Sequence, residues 1–98
     1  MNQPGKTNEQ IQEALGILQE ECAEVIVEIS KCRRFGLSSV HYRTGKQHVA
    51  MLEQELGDLL AMIDILIDQE IIDRDELVIA MENKKLKLEE WSKIYEQN

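Results

Sequence analysis

Leu52-Glu53-Gln54-Glu55-Leu56-Gly57-Asp58-Leu59-Leu60-Ala61-Met62-Ile63-Asp64-Ile65-Leu66 is apolar around most of a helix, yet it carries carboxylates inside the apolar sector. With Glu55 at zero and about 100° per residue, the arc from about 280° through zero to about 140° holds Met51, Leu52, Leu59, Met62, Ile63 and Leu66 among others. Glu55 and Asp58, the latter at about 300°, lie within that arc. A helix so widely apolar is covered on more than one side, by its own chain or by a partner subunit. The two carboxylates are therefore expected to be partly buried. Left unpaired there, each costs several kcal/mol or takes up a proton, so the pair calls for basic partners, hydrogen bonds or a metal ion.

Outward from this stretch, the rest of the chain also reads as helices. Thr7-Asn8-Glu9-Gln10 fits a capping box and starts a first helix at Thr7 or Asn8. Ile11, Leu15, Leu18, Cys22, Val25, Ile26 and Ile29 recur at threes and fours and carry it to about Arg33, with Phe35-Gly36 as its end. Residues 36–46 mix turn formers with β-branched residues and read as a loop, with room for a short helical turn. The quoted stretch belongs to a second helix over about 47–69. Asp73-Arg74-Asp75-Glu76 caps a third, which runs nearly to the end with Leu77, Met81, Lys84, Leu88, Trp91 and Tyr95 as its seam. The expected fold is all-α: an antiparallel bundle of three to four helices per chain, completed by homo-oligomerisation. It forms one domain over residues 1–98, with residues 1–7 as an N-terminal extension.

Composition agrees. The 98 residues are 43% apolar but only 4% aromatic, with five Gly and one Pro, which suits helices packed through aliphatic side chains. A chain of this length buries only somewhat above roughly 60% of its unfolded surface, so its own core is modest. A net charge of −8 repels a nucleic-acid backbone or an anionic membrane, and a polyphosphate ligand needs metal ions as intermediaries. The N-terminus has no apolar signal core, and no wholly apolar run is longer than that of Leu59 to Ile63, far short of a membrane span; the expected location is cytoplasmic. Cys22 and Cys32, about 15 Å apart along one helix, cannot bridge and are expected to be reduced packing thiols.

A second acidic cluster, Glu20-Glu21-Cys22-Ala23-Glu24, lies on the first helix. With Glu20 at zero, Glu13, Glu24, Glu28 and Glu21 fall at about 20°, 40°, 80° and 100°, while the apolar stripe centres near 190°. This arc also fits a plain solvated face. If instead Glu21 and Glu24 face Glu55 and Asp58, two neighbouring helices present hard oxygen donors suited to Mg²⁺ or Mn²⁺ rather than zinc. Lys31, at about 20° on the same arc, either neutralises Glu28 or reaches a phosphate beside the metal. Lys84, Lys85 and Lys87 form the densest basic patch, with Asn83 adjacent. His41 and His48 have no partner at ligand or triad spacing and are assigned to solvent or packing. Trp91 and the four Met are assigned to core or subunit interface. With no Walker loop, dinucleotide fingerprint or nucleophile elbow, a metal-activated water is the one catalytic device available.

Glu20-Glu21-Cys22-Ala23-Glu24 followed by Glu55-Leu56-Gly57-Asp58 resembles the EExxE and ExxD signature of the MazG-like all-α nucleoside triphosphate pyrophosphohydrolases. The surrounding text, including Ser30 to Gly36, looks like the small stand-alone members of phages and mobile elements, and the likeness spans about residues 13–92. The resemblance implies a homodimer or homotetramer and Mg²⁺-dependent cleavage of an NTP or dNTP to the monophosphate and pyrophosphate. It implies Glu21, Glu24, Glu55 and Asp58 as metal ligands and Glu20, helped by Glu28, as the group handling the water. It implies Lys31, Asn83, Lys84 and Lys87 as substrate contacts. Sibling activities, of dUTPase, dCTPase or phosphoribosyl-ATP pyrophosphohydrolase type, share these motifs. A non-catalytic acidic helical interaction module is the alternative of another class.

Overall fold

The computed structural model describes residues 6–97 and folds them into α1 (Asn8–Phe35), α2 (His48–Asp68) and α3 (Arg74–Trp91). Among the described residues the only extended pairing is one antiparallel bridge between Val40 and Gln47, so the all-α class holds. Residues 1–5 of the expected N-terminal extension lie outside the described residues.

Local chemistry sets each boundary. The Thr7 hydroxyl accepts the Gln10 N–H at 3.1 Å and the Gln10 side chain accepts the Thr7 N–H at 2.9 Å, closing the capping box. α1 continues two residues past Arg33 and stops at Gly36, whose φ of 96° is open to glycine alone without strain and whose N–H donates to the Cys32 carbonyl at 2.9 Å. Gln47 caps α2 with no side-chain bond. The loop does that work: the carbonyls of Ser39 and Leu37 accept the N–H groups of His48 and Val49, both at 2.9 Å, which satisfies free amides of the first turn and ties the loop to the helix start. At the other end of α2, Glu70 takes the left-handed conformation (φ 59°) while Glu70 and Ile71 donate to Ile67 and Leu66, both at 2.9 Å, in a Schellman closure. Asp73 caps α3 by accepting the Asp75 N–H at 2.8 Å. α3 is shorter than the periodicity suggests. Ser92 turns extended and its hydroxyl accepts the Ile94 N–H at 3.1 Å, a local bond that competes with the helix, so Tyr95 leaves the seam.

α1 and α2 form an antiparallel pair, with Phe35 against His48 at one end and Glu21 against Glu55 further along. Their shared core is small: Val25 and Cys32 from α1, Met62 and Leu66 from α2. On α1 the residues facing α2, among them Val25, Glu28 and Cys32, centre roughly 70° from the apolar stripe, toward the acidic arc. That rotation has two results. It carries Glu21 and Glu28 into the seam, and it leaves Leu15, Ile26 and Ile29 in the open, Ile26 at 66% exposure. On α2 the packed face is centred on Glu55, flanked by His48, Met62 and Leu66 within about 20° of it.

α3 makes no extensive contact with α1 or α2, and none of its residues is buried. Its first residue, Arg74, lies 3.8 Å from Asp64, both exposed. The molecule measures 52 × 39 × 16 Å with a radius of gyration of 17.2 Å, against about 13 Å for a compact chain of this length.

Candidate functional site

The rotated seam brings three carboxylates to one point. Ligand oxygens of Glu21, Glu55 and Asp58 lie within 4.8 Å of one another, with Glu21 and Glu55 half-buried; Asp58 is exposed, so of the two α2 carboxylates expected to be partly buried only Glu55 is. Glu55 and Asp58 come from one turn of α2, and Glu21 reaches them across the α1–α2 seam. Loss of solvent around Glu55 pushes its carboxyl above the ordinary carboxylate range, and the negative charges of Asp58, Glu24, Glu21 and Glu28 push in the same direction. One oxygen of Glu21, Oε2, is buried with no hydrogen-bond partner.

No basic partner among the described residues relieves this charge. Among the described residues the ion pairs are Lys31 with Glu28, at 3.5 Å, and Arg74 with Asp64. Neither touches the three-carboxylate cluster, so the buried-ion-pair alternative finds no support there. Hard oxygen donors, an orphaned buried carboxylate oxygen and a carboxyl shifted above its ordinary range by loss of solvent and by neighbouring negative charge fit a divalent cation of the magnesium type.

The other candidate residues divide sharply. Glu24 is exposed on the face beside the cluster and close enough to act on Glu55, and Glu20 is exposed one position before Glu21. Glu28, expected on an arc that also fits a solvated face, is instead buried at 6% exposure; one oxygen pairs with Lys31 and the other, Oε1, has no partner. Lys31 is half-buried and so does neutralise Glu28. Asn83, Lys84 and Lys87 are all exposed on α3, which packs against neither cluster-bearing helix. Cys32 is buried as expected, whereas Cys22 is exposed because the rotation of α1 turns its part of the stripe away from α2.

The sequence reading passed over a second feature. A cavity of about 380 Å³ beside Lys31 is walled by Phe35, His41, Tyr42 and His48. Their rings form a continuous set: Phe35 stacks on His48 with centroids 5.4 Å apart, His41 meets His48 edge-on at 5.8 Å, and Tyr42 stacks on His41 at 5.1 Å. His48 is 4% exposed, and its Nδ1 is buried without a hydrogen-bond partner. His41 Nδ1 accepts the N–H groups of Arg43 and Thr44 at 3.1 and 3.4 Å, which leaves the ring proton on Nε2. The assignment of these histidines to solvent or packing thus describes only part of their setting. A signal was available: both histidines and half of the four aromatic residues of the chain fall between positions 35 and 48.

A family model described as the MazG nucleotide pyrophosphohydrolase domain matches residues 9–87. No curated protein and no solved structure matches the chain.

Proposed function

The chain belongs to the MazG nucleotide pyrophosphohydrolase domain family, and from that membership we propose a metal-dependent hydrolase, one helical domain that cleaves an NTP or dNTP to its monophosphate and pyrophosphate. Family membership carries the coarser statement, nucleotide pyrophosphohydrolase activity. The observation that carries the finer one is the convergence of Glu21, Glu55 and Asp58 oxygens within 4.8 Å, with no basic residue among the described residues paired to them.

Glu21, Glu24, Glu55 and Asp58 would hold Mg²⁺, or Mn²⁺, as an all-oxygen ligand set. When bound, the ion neutralises the triphosphate, acidifies a water and stabilises the leaving pyrophosphate. Glu20, exposed beside Glu21, takes the proton of the attacking water. As the water oxygen bonds to the α-phosphorus, the bond to the bridging oxygen breaks and its electron pair leaves with pyrophosphate. Glu28 holds Lys31 near the seam, where its ammonium group contacts a phosphate oxygen. Asn83, Lys84 and Lys87 complete the phosphate contacts once α3 is covered. A homodimer or homotetramer supplies that cover, a reading supported by an α3 with no buried residue.

The test is pyrophosphate release from a panel of NTPs and dNTPs with Mg²⁺ in ¹⁸O water. The label should appear in the monophosphate alone, and Glu24→Gln and Asp58→Asn should each abolish release while remaining folded. Turnover retained in both variants would remove the metal-ligand assignment. A family sibling would show itself by restricting turnover to one member of a panel extended to dUTP, dCTP and phosphoribosyl-ATP.

A further inference from the structure

We propose that the cavity walled by Phe35, His41, Tyr42 and His48 is the seat of the substrate's nucleobase, and that His48 is a residue that selects which base is accepted. The inference rests on the pyrophosphohydrolase reading of the neighbouring carboxylates, and it names the part of the substrate that those carboxylates do not hold.

Three observations converge on it. The first is the chemistry of the walls. Four conjugated rings, each in contact with the next, present flat faces, and Phe35 and Tyr42 remain 55% and 84% exposed although a chain this poor in aromatics has few to leave uncovered. Flat π faces bind a flat heteroaromatic ring by stacking. The second is His48 Nδ1, a polar atom enclosed at 4% residue exposure with no partner. Such an atom carries a desolvation cost until something bonds to it, and the ring nitrogens and exocyclic groups of a base edge are of the right kind. His41 adds a second polar group to the same wall, a ring N–H on Nε2.

The third observation is position. Lys31 lines the cavity and pairs with Glu28, so the cavity adjoins the acidic seam directly. His48 and Glu55 are seven residues apart on α2, about 10 Å along the axis. That is the span over which a nucleotide extends from its base to its phosphates. A base in the cavity therefore directs its phosphates past Lys31 toward Glu55 and Asp58. The loop that carries two of the rings is held for this purpose by the Val40–Gln47 bridge and by the bonds from His48 and Val49 to its carbonyls.

The experiment follows the histidine ring signals by NMR on the whole protein with Mg²⁺ present. One probe is inorganic tripolyphosphate, which has no base; the others are the nucleoside 5′-monophosphates of adenine, guanine, cytosine, uracil and thymine. At least one monophosphate should shift the His41 and His48 signals, and tripolyphosphate should leave them in place. Phe35→Leu and Tyr42→Ala should each weaken that monophosphate by about tenfold, and Tyr42 is exposed enough that its truncation leaves the fold intact. In turnover, His48→Asn should raise KM and reorder the nucleotide panel. The proposal is overturned if no monophosphate moves the histidine signals, if tripolyphosphate moves them equally, or if Tyr42→Ala and His48→Asn keep the wild-type affinities and ranking. Base-dependent shifts without any pyrophosphate release would sink the hydrolase reading and leave this one standing.

Discussion

Glu55 occupies the centre of the packed face of α2, half-buried, where loss of solvent and the neighbouring carboxylates disfavour its charge. Its raised carboxyl fixes the sign of the pH response. Below the ordinary carboxylate range both the folded and the unfolded chain hold the proton, and Glu55 costs the fold nothing in charge. As pH rises through the folded-state value, the folded chain must ionise Glu55 among four other carboxylates, and stability is lost. In chelator, Glu55→Gln should therefore melt above the wild type at about pH 8 and close to it at about pH 4. Added Mg²⁺ should reverse the order at the higher pH, because a metal that binds only the folded state stabilises it by mass action. Thermal melts in chelator and in Mg²⁺ at the two pH values check both halves. Glu55 was legible in the sequence because a charge inside an apolar arc is a local anomaly. His48 and Glu28 were not, because periodicity gives the direction of the apolar stripe and not the rotation at which the neighbouring helix meets it.

At the scale of the elements, the boundaries were legible wherever a side chain near in sequence makes the cap. Thr7 with Gln10 and Asp73 with the Asp75 amide are of that kind. The start of α2 was harder, since its capping carbonyls come from Ser39 and Leu37 in the preceding loop and Gln47 gives no sign of them. Thr7→Ala should cost about 1 kcal/mol in a denaturant titration. The Schellman closure of α2 predicts the opposite effect. Glu70 sits in a left-handed conformation that penalises any residue with a Cβ, so Glu70→Gly should stabilise the protein by about 1 kcal/mol. A destabilising Glu70→Gly would mean that the side chain makes contacts worth more than the backbone strain.

At the scale of the whole molecule, the helix content was legible and the shape was not. Aliphatic residues at threes and fours specify helices, but they do not say whether a stripe meets its own chain or another one. Here Leu15, Cys22, Ile26 and Ile29 of the α1 stripe are exposed and no residue of α3 is buried, with Met81 at 56% exposure and Trp91 at 80%. A second copy is the cover proposed above, and sedimentation should accordingly give a dimer or tetramer. Met81→Glu, placing a charge on the seam, should weaken association by at least about thirtyfold and lower the melting temperature in a concentration-dependent way. A wild type that sediments as a monomer would leave these surfaces without the proposed cover.

The slab is only 16 Å thick, and its acidic point lies between just two helices. A sheet of matter that thin has little inside, so a partner bracing the outer side of α2 would also help to keep the oxygens in register. With the second copy proposed above as that brace, folding, ion capture and turnover would share one dependence on population. Dilute the polypeptide far enough and all three should fade together, faster than in proportion, so that abundance itself would act as a throttle on the chemistry.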